Sequence, residues 1–151
     1  TYALDNGARA VIVLQRGLVV HEQYANGGSV TRGETLASGT KSFTCVLAAA
    51  GEDDGFFTIG ERVAQVLPPW AAGGSAPQNS AKQQIRAVDL LAVTSGLGLG
   101  GVSGGALNEV DSYAQVVGAP SLAAPDTATI YNPNNAQGFS LFFELRTGGT
   151  Y

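Results

Sequence analysis

The stretch Leu36-Ala37-Ser38-Gly39-Thr40-Lys41-Ser42-Phe43-Thr44 decides how this chain is read. A hydroxyl and an amine stand three residues apart, just ahead of an apolar run from Val46 to Ala50. The spacing predicts a helix from Ser38 to about Asp54, with Gly55 as its stop. Residues three apart on a helix share a face. Ser38 and Lys41 would then lie at the helix start, where backbone N–H groups are free. A serine so placed is a nucleophile carrying its own base. A lysine sheltered from water there would act as a base at neutral pH, and the helix N-terminus would favour negative charge developing nearby. The chain has two lysines, and Lys41 is one of them. The same residues also fit a plainer reading, with Ser38 as an N-cap and Lys41 in solvent.

Upstream, Ala10 to Ala25 reads as a hairpin. Val11 to Leu14 and Leu18 to Tyr24 are its strands, and Gln15-Arg16-Gly17 is the turn. A polar, glycine-rich loop follows, from Asn26 to Glu34. Downstream, Thr58 to Leu67 carries Ile59, Val63, Val66 and Leu67 at helical spacing, ended by Pro68-Pro69. Ala71 to Ala81 is small and polar, a surface loop. Val88 to Val93 is a short helix, Gly96 to Gly105 a glycine loop, and Val110 to Val117 another short helix. After Tyr131-Asn132-Pro133, Asn134 or Asn135 caps a last helix bearing Phe139, Phe142, Phe143 and Leu145. A lone hairpin is marginal in water, and no convincing strand follows Tyr24.

Composition narrows the function classes. At 151 residues the chain is long enough for one domain with a real core. Charged residues are 13%, against about a quarter in typical domains. A net charge of -4 argues against a nucleic-acid surface. No apolar stretch approaches the length of a membrane span, and no export signal is expected in these residues. Cys45 stands alone, which excludes an internal disulfide and a cysteine-built metal site. Cys45 is expected as small core filler, His21 as a strand surface residue and Trp70 as a packing anchor.

Two glycine motifs are discounted. Gly101-Val102-Ser103-Gly104-Gly105 matches a hydrolase elbow, but that motif needs a histidine downstream and His21 lies upstream. Gly96-x-Gly98-x-x-Gly101 follows a helix rather than a strand, so a dinucleotide site is not expected.

Several ordered words go further. The Ser38 stretch, Glu52-Asp53-Asp54-Gly55-Phe56-Phe57-Thr58-Ile59, Val63-x-x-Val66-Leu67-Pro68-x-Trp70, and Ile85 through Leu91 to Thr94-Ser95-Gly96-Leu97 closely resemble the serine β-lactamase-like superfamily. That group includes penicillin-binding proteins, class C β-lactamases and related esterases and peptidases. The resemblance runs from about Val11 to Arg146. It implies an α+β fold: an antiparallel sheet flanked by helices, plus a helical subdomain. Residues 1–151 are expected to be the N-terminal portion of one such domain, incomplete in strands and unable to fold alone into a stable catalytic unit.

The resemblance also implies roles. Pro125 to Tyr131 matches the approach to the family's second motif, which makes Tyr131 the partner of Ser38 and Lys41. A phenol near an ammonium has its pKa lowered and can relay a proton; the plainer alternative is a buried anchor. Pro133 stands at the family's asparagine position, so Asn132, Asn134 and Asn135 are the candidate substrate-binding residues. Arg146-Thr147-Gly148 mimics the third motif but is read as the end of the last helix. The implied activity is acyl transfer through Ser38 on a small ester or amide, of carboxylesterase, β-lactamase or D-amino-acid peptidase type. The alternative is a sensor or binding module without turnover. No metal or cofactor is implied. A second polypeptide completing the sheet is an expected partner. The residues leave the compartment open, with the periplasm or the exterior favoured.

Overall fold

The structure is a computed structural model and describes residues 1–99 and 112–149. The chain forms two compact units, Thr1–Ala37 and Ser38–Tyr151.

In the first unit a one-turn helix, α1 (Tyr2–Asp5), precedes a hairpin of β1 (Ala10–Gln15) and β2 (Leu18–Tyr24). No helix was expected at α1 from the local pattern. Aliphatic and β-branched residues fill both strands, as pleated backbone favours. Arg16 and Gly17 link them with φ of 52° and 80°, the left-handed pair that a tight hairpin turn needs. The register runs from Ala10 opposite Tyr24 to Val13 opposite His21, then slips so that Leu14 faces Val19. His21 is exposed on β2, as expected. Asn26 ties the following loop back, donating to the carbonyls of Leu4 and Ala8. Ile12, Val13, Leu14, Leu18, Val19 and Val20 remain exposed.

The second unit is helical. Its α-helices are α2 (Ser42–Asp53), α3 (Asn79–Lys82), α4 (Ala87–Leu91), α5 (Ser112–Gly118) and α6 (Pro133–Thr147). The long α6 packs on α2, α4 and α5. Gly138 makes this possible, because a Cβ there would sit 3.1 Å from Leu90 and 3.4 Å from Val116. Phe57, Phe139 and Phe142 are buried and pack edge-on or tilted, with ring centroids 5.1 to 6.2 Å apart. Trp70 is fully buried, the anchor expected of it, and its ring N–H donates to the Val117 carbonyl. No helix among the described residues is long and apolar enough to cross a membrane.

Four expectations are corrected. The helix expected from Ser38 starts as a 3₁₀ turn, Ala37–Lys41, and becomes α-helical from Ser42. The helix expected from Thr58 to Leu67 is a single 3₁₀ turn, Val63–Gln65. There the Val63 N–H donates to the Ile85 carbonyl and the Glu61 carbonyl accepts from Ala87. Those backbone groups are spent on a partner segment, so a helical ladder cannot use them. The expected loop from Ala71 to Ala81 leads into α3 and buries Ala76. The last helix is capped by Asn132, not by Asn134 or Asn135, and the Asn132 side chain accepts from the Asn134 N–H. Pro133 holds the first helical position, where its fixed φ and missing N–H cost nothing.

The end of α6 fulfils its expectation. Gly148 closes the helix at φ 67° and its N–H donates to the Glu144 carbonyl. Arg146 pairs with Glu61. The Gly101–Gly105 motif, and the glycine loop beyond Leu99, lie outside the described residues.

Candidate active site

Ser38 and Lys41 stand at the two ends of one 3₁₀ turn. With three residues per turn, positions i and i+3 eclipse. The Lys41 Nζ donates to the Ser38 Oγ at 3.0 Å. Ala37, just before, is held at φ 47°. A left-handed non-glycine residue stores roughly 1–3 kcal/mol and marks a constrained site. Ser38 is exposed, and Lys41 is half-buried at the mouth of a cavity.

Tyr131 completes the cluster. Its ring centroid is 5.6 Å from the Lys41 Nζ, which stacks the amine against the ring. The Ser38 hydrogen bond draws the phenol below its ordinary value of 10.0. Partial desolvation opposes this, and the charge and hydrogen bond of Lys41 add to the lowering. The side chain is 63% exposed, so it is not the buried anchor of the plainer reading. Lys41 thus bridges Ser38 and Tyr131 in a cluster open to an approaching molecule.

The cavity beside Lys41 is small, about 40 Å³, and is walled by Thr44, Cys45, Leu91, Val93 and Ala136. Cys45 is exposed at this wall rather than filling the core. The core-filler expectation fails because the α2 surface carrying Phe43, Val46 and Leu47 is itself uncovered.

The asparagines are placed differently from Tyr131. Asn132, Asn134 and Asn135 are all buried. Asn132 donates to the Leu97 carbonyl at 2.7 Å, and Asn134 to the Gly98 carbonyl at 2.7 Å. Asn135 donates to the Ile130 carbonyl at 3.0 Å and accepts from the Ser95 hydroxyl at 2.6 Å. Their side chains bind the Tyr131 loop to the segment after α4. Ser95 was not singled out by the sequence, although it sits within Thr94-Ser95-Gly96-Leu97. Its place inside that ordered word was the available signal.

Residues 6–151 match the family described as Beta-lactamase. No curated protein matches the chain. Among solved structures, a Bacteroides dorei DSM 17855 protein provisionally named a beta-lactamase superposes with a TM-score of 0.75 at 19% identity, over 99% of this chain and 44% of that one. A Bacillus anthracis protein provisionally named a 6-aminohexanoate-dimer hydrolase gives 0.76 at 16% identity, over 98% of this chain and 42% of that one. These likenesses establish a β-lactamase-like fold, of which the chain spans less than half the length of either structure. With the match covering nearly every residue, the chain belongs to the beta-lactamase family.

Proposed function

We propose that this chain carries the nucleophile of a serine hydrolase that works through an acyl-enzyme on Ser38. One observation carries the reading: the exposed Ser38 hydroxyl accepts from the Lys41 Nζ at 3.0 Å, and that same amine lies over the Tyr131 ring. The Ser38 oxygen forms a bond to the substrate carbonyl carbon. Its proton passes to the Tyr131–Lys41 pair and then to the leaving alcohol or amine as the old bond breaks. Water later attacks the acyl ester, returns a proton to Ser38 and releases the acid. The Ser38 N–H supplies one oxyanion donor. Esters, β-lactams and amides of small or D-amino acids suit this chemistry, with carboxylesterase-type or β-lactamase-type hydrolysis ranked first.

The test is covalent labelling of the full-length protein with a fluorophosphonate and with a fluorescent β-lactam. Adduct mass on the Ser38 peptide is the expected result, and no adduct with either probe overturns the reading. A second reading, a binding module without turnover, is favoured by Pro133 standing where the family has asparagine, and by Arg146-Thr147-Gly148 closing α6. That reading expects no adduct. We also propose that further polypeptide completes the sheet over the exposed hairpin. An aliphatic ribbon of two strands is marginal without it.

A further inference from the structure

Beyond the Lys41 amine over its ring, Tyr131 depends on its backbone for its aim. The side chain is largely in solvent, so its direction is set by the backbone beneath it. That backbone is gripped at one place from both sides. The Ile130 N–H donates to the Val93 carbonyl at 2.9 Å. The Ile130 carbonyl accepts from the Asn135 Nδ2 at 3.0 Å. A peptide unit is planar, so holding the Ile130 carbonyl also fixes the nitrogen and the Cα of Tyr131.

Both grips are themselves braced. Asn135 is 1% exposed, and its Oδ1 accepts from the buried Ser95 hydroxyl at 2.6 Å. Ser95 in turn accepts from the Leu97 N–H at 3.2 Å. This sets the carboxamide orientation, with its nitrogen toward Ile130. On the other side Val93 sits at φ 55°. A β-branched residue in the left-handed region is a genuine outlier, and such strain persists where surrounding structure imposes it.

We propose that Asn135 is a positioning residue, with Ser95 as its brace: its carboxamide locks the peptide leading into Tyr131 and so aims the phenol at Ser38. The inference rests on the reading of Ser38, Lys41 and Tyr131 as the reacting cluster. It gives Asn135 a role through the backbone of Tyr131 rather than through substrate.

The test uses Asn135→Ala and Ser95→Ala in the full-length protein, with two readouts. One is the ultraviolet titration of Tyr131, taken as the difference from Tyr131→Phe. The other is the rate of fluorophosphonate labelling at Ser38. Both variants are expected to move the Tyr131 titration up toward that of an ordinary phenol and to slow labelling about tenfold or more. Ser95→Thr keeps the hydroxyl and is expected to stay within about twofold of the parent. A folded Asn135→Ala with an unmoved titration overturns the proposal. If Asn135→Ala does not fold, Ser95→Ala decides by the same criterion. Absence of labelling in the parent would overturn the hydrolase reading instead, and the titration would still judge Asn135.

Discussion

The Lys82 Nζ donates to the carbonyl oxygen of Val117 at 2.9 Å, from a side chain with no exposed surface. The amine lies 5.9 Å over the Trp70 ring, and Val117 is in the last turn of α5, where a cation meets the negative end of the helix. Burial lowers the amine from 10.5 to about 8. Between those two values the unfolded chain binds more protons than the folded one, so stability rises with pH across that window. Below pH 8 both states are protonated and the cost of burying the charge is felt in full. At about 1.4 kcal/mol per pKa unit, the gain by pH 10.5 is on the order of 3 kcal/mol. Lys82→Met should abolish this slope. Urea unfolding of both proteins from pH 7.5 to 10.5 is the measurement, and parallel curves would refute the assignment.

The lowered Tyr131 phenol makes a second prediction about pH. The Ser38 hydrogen bond is the largest influence lowering the phenol, so Ser38→Ala should raise the Tyr131 titration. If the phenolate takes the serine proton, the acylation rate climbs as pH rises through the Tyr131 titration, below the range of a free tyrosine. Tyr131→Phe should lose that limb of the profile. Removing a group that moves protons typically slows a reaction by about 10²–10⁴-fold, and Lys41→Ala should fall in that range. Pre-steady-state acylation across pH checks both variants, and a Tyr131→Phe profile that keeps its limb would rule the phenol out.

Why the grouping of Ser38, Lys41 and Tyr131 was legible while the contacts beneath it were not has a physical basis. Ser38 and Lys41 are close in sequence, and any helical turn brings residues three apart together. Tyr131 was found through ordered words, not through spacing. The roles proposed for Ser95 and Asn135 depend on a contact across forty positions, which no local pattern encodes. The segment from Thr58 shows the same limit. Its apolar spacing is helical, but its backbone pairs with Ile85 and Ala87 instead, and tertiary hydrogen bonds override the local preference. Cys45 looked like core because small thiols are usually buried, yet the neighbouring Phe43 and Val46 on α2 are exposed too.

The aromatic cluster predicts where helical stability is concentrated. Phe142 is fully buried, with its ring centroid 5.1 Å from that of Phe57 and 6.1 Å from that of Phe139. Truncation removes apolar area and leaves a cavity, at a cost of about 3–5 kcal/mol for Phe→Ala. Phe142→Leu keeps most of the volume and should lose less than half of that. Phe143 is less buried, so Phe143→Ala should cost less than Phe142→Ala. Chemical denaturation of the three variants gives the order, and equal losses at positions 142 and 143 would contradict it.

Gly96 and Gly55 form a matched pair, because both hold φ near 80° but differ in surroundings. A Cβ at Gly55 would meet nothing within 4 Å, whereas one at Gly96 would lie 2.1 Å from the Ala123 carbonyl oxygen. Gly55→Ala should therefore cost the left-handed penalty alone, about 1–2 kcal/mol. Gly96→Ala must also push two backbone segments apart and break the bond from the Leu122 N–H to the Gly96 carbonyl. Its loss should exceed that of Gly55→Ala by about 1 kcal/mol or more, since backbone cannot yield as a side-chain tip does. The damage should also reach the site, because the neighbouring Leu97 and Gly98 carbonyls receive Asn132 and Asn134 beneath Tyr131. Labelling at Ser38 should slow in Gly96→Ala under conditions where both variants are folded, and stay near the parent rate in Gly55→Ala. Equal stability losses, or equal labelling rates, would mean that the segment after α4 does not support the phenol.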